Sequence, residues 1–272
     1  MKRFLKIILM GFLALAGISC TKVLDIKIDS QADRVVIEGL ITNQVAPFTV
    51  KLSKTLALAD SNTYPKINNA FVSIGDDAGH LDTLQFIANG LYETNGLRQG
   101  VVGRTYFLTV KVDGQTYIAQ DKLFSVSRID SLYMEYKQAG SGLGITEDGY
   151  YAYFNSTDPP NEKNYYNLTI FRNGSSVLKS NQLDISDDRF LAPVIIGSRL
   201  PGKFNLGDKV VFKLYSLSEP AYNYYYGVSL QLQNDGGFFS TPPANAPNNL
   251  SDGALGFFQA SSVSSDSLIV TQ

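Results

Sequence analysis

From Arg34 onward the chain alternates apolar and polar residues with a period of two. Val35-Val36-Ile37-Glu38-Gly39-Leu40-Ile41 is rich in β-branched residues, and Phe48-Thr49-Val50-Lys51-Leu52 alternates cleanly, with turn chemistry from Asn43 to Pro47 between them. Ala70–Ile74, Leu81–Ile87, Leu91–Thr94, Tyr106–Val112 and Gln115–Ala119 continue the pattern. Asp113-Gly114 joins the last two as a type I′ hairpin, because both positions tolerate positive φ. Seven short strands at this spacing, with no helical period, predict a β-sandwich over 34–126.

A second β-rich module is predicted over 127–272. Its strands fall at Ile129–Tyr136, Tyr150–Asn155, Tyr165–Arg172 and Asp208–Leu217, then near Gly256–Ala260 and Ser267–Val270. Asn173-Gly174 is a further hairpin signal, and Lys137–Asp148 reads as an exposed Gly-rich loop. One segment breaks the β pattern. Ser218 suits an N-cap, Glu219 and Pro220 the first turn, and Tyr222, Tyr225, Tyr226, Ser229 and Leu230 follow helical spacing. An amphipathic helix is therefore expected near 219–233, with Tyr222, Tyr225 and Tyr226 packed inward and Tyr224 more exposed.

The first 19 residues follow another logic. Lys2, Arg3 and Lys6 precede an uncharged apolar run of 12 residues, Ile7–Ile18. As a helix that run spans roughly 18 Å, short of a hydrocarbon core of about 30 Å, so a secretory leader fits better than a membrane span. The run ends in Gly17-Ile18-Ser19-Cys20, which resembles a bacterial lipobox, although Gly17 replaces the usual branched aliphatic residue. That resemblance implies cleavage before Cys20 and acylation of its thiol, with residues 20–33 as a lipidated tether. Ordinary leader cleavage nearby, leaving a stray thiol, is the alternative. Two or three acyl chains anchor a protein stably where one does not.

Composition narrows the chemistry. The chain of 272 residues is 44% hydrophobic and 18% charged, which is not the profile of a disordered protein. With the leader removed, 20 Lys and Arg stand against 25 Asp and Glu, so no electrostatic case exists for nucleic acid or for anionic lipid. One His, one Cys and no Trp exclude most His-based triads, multi-His metal sites and an intramolecular disulfide.

The remaining candidates are few. His80, after Asp76-Asp77-Ala78-Gly79, reads as a solvated turn residue rather than a base or ligand. Asp184, Asp187 and Asp188 form the densest acidic cluster, but they lack the spacing of a calcium loop and read as a solvated loop. No nucleophile elbow, phosphate loop or dinucleotide fingerprint occurs, so neither catalysis nor a cofactor is expected. Tyrosines are the residual signal. Tyr150, Tyr151 and Tyr153 on a strand, with Tyr224 on the helix, are the candidate ligand-binding residues, and a groove near Tyr150–Tyr153 or Phe238–Asn245 would hold the ligand.

The order of features also resembles a family. Val36-Ile37-Glu38-Gly39-Leu40-Ile41-Thr42-Asn43, Phe48–Thr55, Asn69–Ile74, Ile129-Asp130-Ser131-Leu132, Pro242-Pro243-Ala244-Asn245 and Ala254–Phe258, behind the lipobox, are similar to an uncharacterised lipoprotein family of Bacteroidetes classed as a domain of unknown function. The resemblance implies a mainly β chain: an N-terminal immunoglobulin/transthyretin-like β-sandwich plus the second module with its helix. It also implies an outer-membrane lipoprotein encoded beside TonB-dependent receptors, and it supplies no catalytic residues. The expected function is that of a non-enzymatic accessory to such a receptor; a surface glycan- or peptide-binding protein and a structural envelope protein are the alternatives.

Overall fold

The computed structural model describes residues 33–56, 64–157, 163–187, 194–234 and 244–272. Seven strands from the first half, Val35–Thr42 (β1), Thr49–Lys54 (β2), Phe71–Asp76 (β3), Leu81–Ala88 (β4), Leu91–Thr94 (β5), Thr105–Val112 (β6) and Gln115–Lys122 (β7), join one near the C-terminus, Leu255–Ser261 (β15), in one sheet of order β15-β1-β2-β5-β4-β3-β6-β7. Instead of two facing layers, the sheet rolls on itself into a nearly closed barrel, and β15 meets β7 across the seam. Along β1, Val35, Ile37 and Ile41 are buried, and together with Val50, Leu52, Val72, Leu108, Val110 and Phe258 they fill the interior. Gly39 also faces inward, where a Cβ would lie 2.6 Å from the Phe258 ring; the missing side chain is the room that ring occupies.

The remaining strands build a sandwich. Tyr165–Arg172 (β10), Ser175–Ser176 (β11), Asp184–Asp187 (β12), Lys209–Leu217 (β14) and Val263–Ile269 (β16) form one sheet, and Arg128–Lys137 (β8), Gly149–Thr157 (β9) and Val194–Arg199 (β13) the other. Ala152, Phe154, Ile170, Phe204, Phe212 and Leu214 fill the space between them. The sandwich is not separable at residue 127, since β15 and β16 are one continuous run that changes sheet at Ser262. That crossing is a buried serine junction. Ser261 Oγ donates to the Ser216 carbonyl at 2.6 Å, the Ser262 amide donates to Ser216 Oγ at 2.8 Å, and Ser216 Oγ donates to the Phe124 carbonyl at 2.9 Å.

Expected turns form as their residues require. Asp113 and Asn173 both take positive φ in hairpins. Two elements depart from expectation. Asp184–Asp187 is strand β12 and not a loop, because it pairs with Tyr165–Leu168 of β10, and β13 carries no alternation that marks it in the sequence. The helix, Glu219–Leu232 (α1), begins as predicted, with Ser218 accepting from the Ala221 amide and Pro220 in the first turn. Its inward face agrees with the expectation at Tyr222, which packs on Tyr165 at 4.8 Å, and at Tyr225 and the buried Ser229. It differs at two tyrosines: Tyr224 packs on Phe257 at 5.1 Å, whereas Tyr226 is 51% exposed. The small, buried Ala221 side chain lets the helix approach β15 closely enough for Tyr224 to reach Phe257.

Barrel closure relies on a buried carboxylate. Asp121 of β7 accepts from the Ala260 amide of β15 at 2.9 Å and from the Ser218 hydroxyl that caps α1. Burial raises its pKa from 3.8 to about 6, against the pull of the Ser218 hydroxyl and the Ala260 and Lys122 amides. The folded state therefore holds this proton more tightly than the unfolded chain. Its contribution to stability is full below pH 4 and is lost as pH rises through about 6, a change of about 3 kcal/mol. Urea unfolding of Asp121→Asn, followed from pH 4 to 7, is expected to lack this slope. At the opposite edge of β15, Gly256 has φ +98° and a Cβ there would overlap the Ile37 carbonyl oxygen. Gly256→Ala is expected to destabilise the fold by about 2–4 kcal/mol, read in the same unfolding experiment.

Candidate functional site

A cleft of about 580 Å³ opens at one end of the barrel. Its polar wall grows from the β3–β4 turn. Asp76 ends β3, and its carboxylate accepts from the Ala78 and His80 amides at 3.0 Å each, which folds the turn back on itself. Arg104, next to the first residue of β6, donates to the same carboxylate at 2.5 Å, and His80 Nδ1 lies 3.0 Å from it. On β4, Asp82 receives a forked contact from Arg98, with Nε at 2.8 Å and Nη2 at 2.5 Å. Phe48, Ile74, Val101 and Tyr106 supply the apolar floor; the Tyr106 hydroxyl accepts from the Val101 amide at 2.8 Å.

Charge is already balanced within this wall. Burial alone would raise the Asp76 pKa, but hydrogen bonds from the His80 amide, the Arg104 guanidinium, the His80 ring and the Ala78 amide outweigh it and bring the pKa down to about 2. The Arg98 fork likewise holds Asp82 below its ordinary value. Both carboxylates are thus fixed acceptors at neutral pH and not groups that exchange a proton there. His80 is solvated as expected, with a side chain 70% exposed, yet it has the ionic partners that a hairpin tip was not expected to supply. Arg104 reaches it from 24 residues away, brought to the turn by the pairing of β3 with β6.

The four candidate tyrosines do not converge. Tyr150 faces the second core and meets Tyr136 edge-on at 5.3 Å. Tyr151 and Tyr153 share the opposite face of β9, where Tyr153 stacks on Tyr133 at 5.7 Å, Lys137 Nζ lies 5.7 Å from the Tyr153 ring, and Arg199 lies 5.6 Å from the Tyr151 ring. Tyr151 is itself buried, with its hydroxyl donating to the Glu147 carbonyl. Tyr224 belongs to the helix–β15 cluster with Phe257 and Tyr225, whose hydroxyl donates to Gln259. The partner of Tyr153 is Tyr133, directly opposite in the β8–β9 register; it was not singled out because pairing across strands is not visible from one strand alone.

Asp184 and Asp187 lie on β12, three residues apart and so on opposite faces, and Asp188 falls outside the described residues. Among the described residues no group of His, Cys, Asp and Glu is placed to hold a metal ion. Cys20 and the leader, the tether apart from Asp33, and Phe238–Pro243 of the second candidate groove also lie outside the described residues. No helix among the described residues is long and apolar enough to cross a membrane.

Fold and site together define a mainly β protein of joined sheet systems, whose concave surfaces are lined by ion pairs and aromatic rings. Residues 21–267 match DUF4249, a domain of unknown function, and the chain belongs to that family. No curated protein matches it.

The Asp76 wall yields a direct expectation. Asp76→Asn keeps the shape but removes the charge that holds Arg104 and His80, and should cost about 1–3 kcal/mol at pH 7. Because the folded pKa is depressed, that stability is present above pH 4 and is lost as pH falls toward 2. Thermal unfolding of wild type and variant should therefore converge in acid.

Proposed function

We propose that this protein is a non-enzymatic lipoprotein of the bacterial cell envelope, held at the outer membrane by acyl chains on Cys20, where it serves as an accessory to a TonB-dependent receptor. The observation that carries the reading is the sole cysteine of the chain closing a 12-residue apolar run behind Lys2, Arg3 and Lys6. The folded body supports it in a second way. In the barrel cleft each carboxylate is locked to a guanidinium, so the charged groups brace a surface and are not poised for acid–base chemistry. Confinement by an anchor raises the effective concentration of such a body near a membrane partner without any new contact.

The stacked Tyr133–Tyr153 pair, flanked by Lys137, favours one alternative, a module that captures a glycan or peptide at the cell surface. The anchor and the partner are tested together. Wild-type protein should incorporate a fatty-acid analogue and copurify with a receptor barrel after gentle detergent extraction, and Cys20→Ala should lose the label and most of the copurification. A bare Cys20 thiol in the natural product would remove the anchor. Labelled protein recovered as a lone monomer after crosslinking would remove the receptor role, and binding of a glycan by that monomer would favour the alternative.

A further inference from the structure

The ion pairs at the mouth of the barrel leave part of their hydrogen-bonding capacity unused. Ile74 lies opposite Asp82 in the β3–β4 register, so Asp76, two residues on, stands on the same inner face one row away, about 7–8 Å from Asp82. Asp76 is saturated by the Ala78 and His80 amides, the His80 ring and Arg104. Arg104 is not: its Nε and Nη2 donate to nothing among the described residues. Each Asp82 oxygen accepts one hydrogen bond from Arg98 and keeps a second lone pair. The Tyr106 hydroxyl accepts from the Val101 amide, and its own proton has no acceptor among the described residues. Gln99 donates to the Asn43 carbonyl, which leaves its side-chain oxygen over.

Spare donors and spare acceptors thus line one cleft, above an apolar floor where Phe48 meets Tyr106 edge-on at 6.0 Å beside Ile74. Each guanidinium is matched by a carboxylate, so the mouth offers a charged ligand no net attraction. An ammonium only donates and a carboxylate only accepts, whereas a hydroxyl does both. A hexose carries several hydroxyls on a compact ring whose C–H face suits an apolar floor. The cleft of about 580 Å³ has room for it, since small-molecule sites span about 300–1,000 Å³ and mouths of barrels are a common place for them.

We propose that the barrel mouth binds a neutral hexose unit of a glycan, whose hydroxyls accept from Arg104 and Tyr106 and donate to Asp82 and Gln99. The proposal rests on the glycan-capture alternative, to which it gives a site, and on neither the anchor at Cys20 nor the receptor. It is tested by saturation-transfer NMR titration of the full chain, in a detergent without a sugar headgroup. The probes are D-glucose, D-galactose and D-mannose as neutral hexoses, D-glucuronate as a charged analogue, and cyclohexylmethanol as a ring without ring hydroxyls. At least one neutral hexose should bind saturably, and at least about tenfold more tightly than D-glucuronate or cyclohexylmethanol. Asp82→Asn should weaken that hexose by about tenfold, as should Arg104→Lys, which keeps the charge beside Asp76 but loses the spare Nε and Nη2 donors. Where a variant does not fold, the comparison of probes on wild-type protein decides. The proposal is overturned if no neutral hexose binds up to about 10 mM, if D-glucuronate binds more tightly than all three, or if cyclohexylmethanol binds as well as they do. It also fails if folded Asp82→Asn and Arg104→Lys bind the hexose like wild type while Tyr153→Ala loses it; the glycan reading then stands, with its site on the sandwich.

Discussion

The hydrogen bond from the Ala260 amide to the Asp121 carboxylate joins two strands 139 residues apart, and most of the architecture depends on it. On one side of β15 the strand pairs in parallel with β1, from Val36–Leu255 to Thr42–Ser261; on the other, Asp121 and the Ser218 cap hold it to β7 and α1. Both faces of the strand are consequently buried. Phe258 enters the barrel and Phe257 meets the helix, which explains why the burial of β15 is almost continuous where a half-exposed strand would alternate. A carboxylate is a demanding choice for such a position, since three donors must be held around it for the ionised form to be tolerated.

From this closure follows the union of the two sheet systems. The run from Leu255 to Ile269 serves first the barrel and then the sandwich, and Ser216, Ser261 and Ser262 saturate most of the polar backbone where it crosses. Small hydroxyl side chains suit this crossing, because they supply hydrogen bonds without the volume that would force the sheets apart. Ser262 Oγ is the exception, buried without a hydrogen-bond partner among the described residues. The described body, Asp33–Gln272, is accordingly one compact unit, although its sequence divides naturally near residue 127.

Ionic groups are distributed with a consistent contrast. Where the barrel opens to solvent, Asp76 and Asp82 are each matched by an arginine and the wall is rigid and neutral. Where the sandwich encloses a cavity, β12 turns the Asp184 carboxylate inward beside Leu168 and Leu214. Matching of the first kind stabilises a surface for contact. The aromatic pair Tyr133–Tyr153 stands on the outer face of the β8–β9–β13 sheet.

Local patterning determined much of this protein directly. Alternation marked the seven strands of the first half, Asp113-Gly114 and Asn173-Gly174 marked hairpins, and Ser218-Glu219-Pro220 marked the start of α1, because each depends on the conformational preferences of neighbouring residues. The candidate site was far less legible. His80 looked unpartnered because Arg104 lies 24 residues away, the four tyrosines looked like one group because they are close in sequence, and Asp184 looked like loop because a four-residue edge strand has too little pattern to declare itself. The inward face of α1 was legible in part: Tyr222 and Tyr225 pack as their spacing predicts, but Tyr224 and Tyr226 exchange places, since tyrosine suits both an interior and an interface. Only the tertiary structure decided which charges meet. Coulombic and hydrogen-bonded partners are chosen by proximity in space, and here strand pairing sets it: β3 beside β6 brings Arg104 to Asp76, and β15 beside β1, more than 200 residues earlier in the chain, brings Ala260 to Asp121.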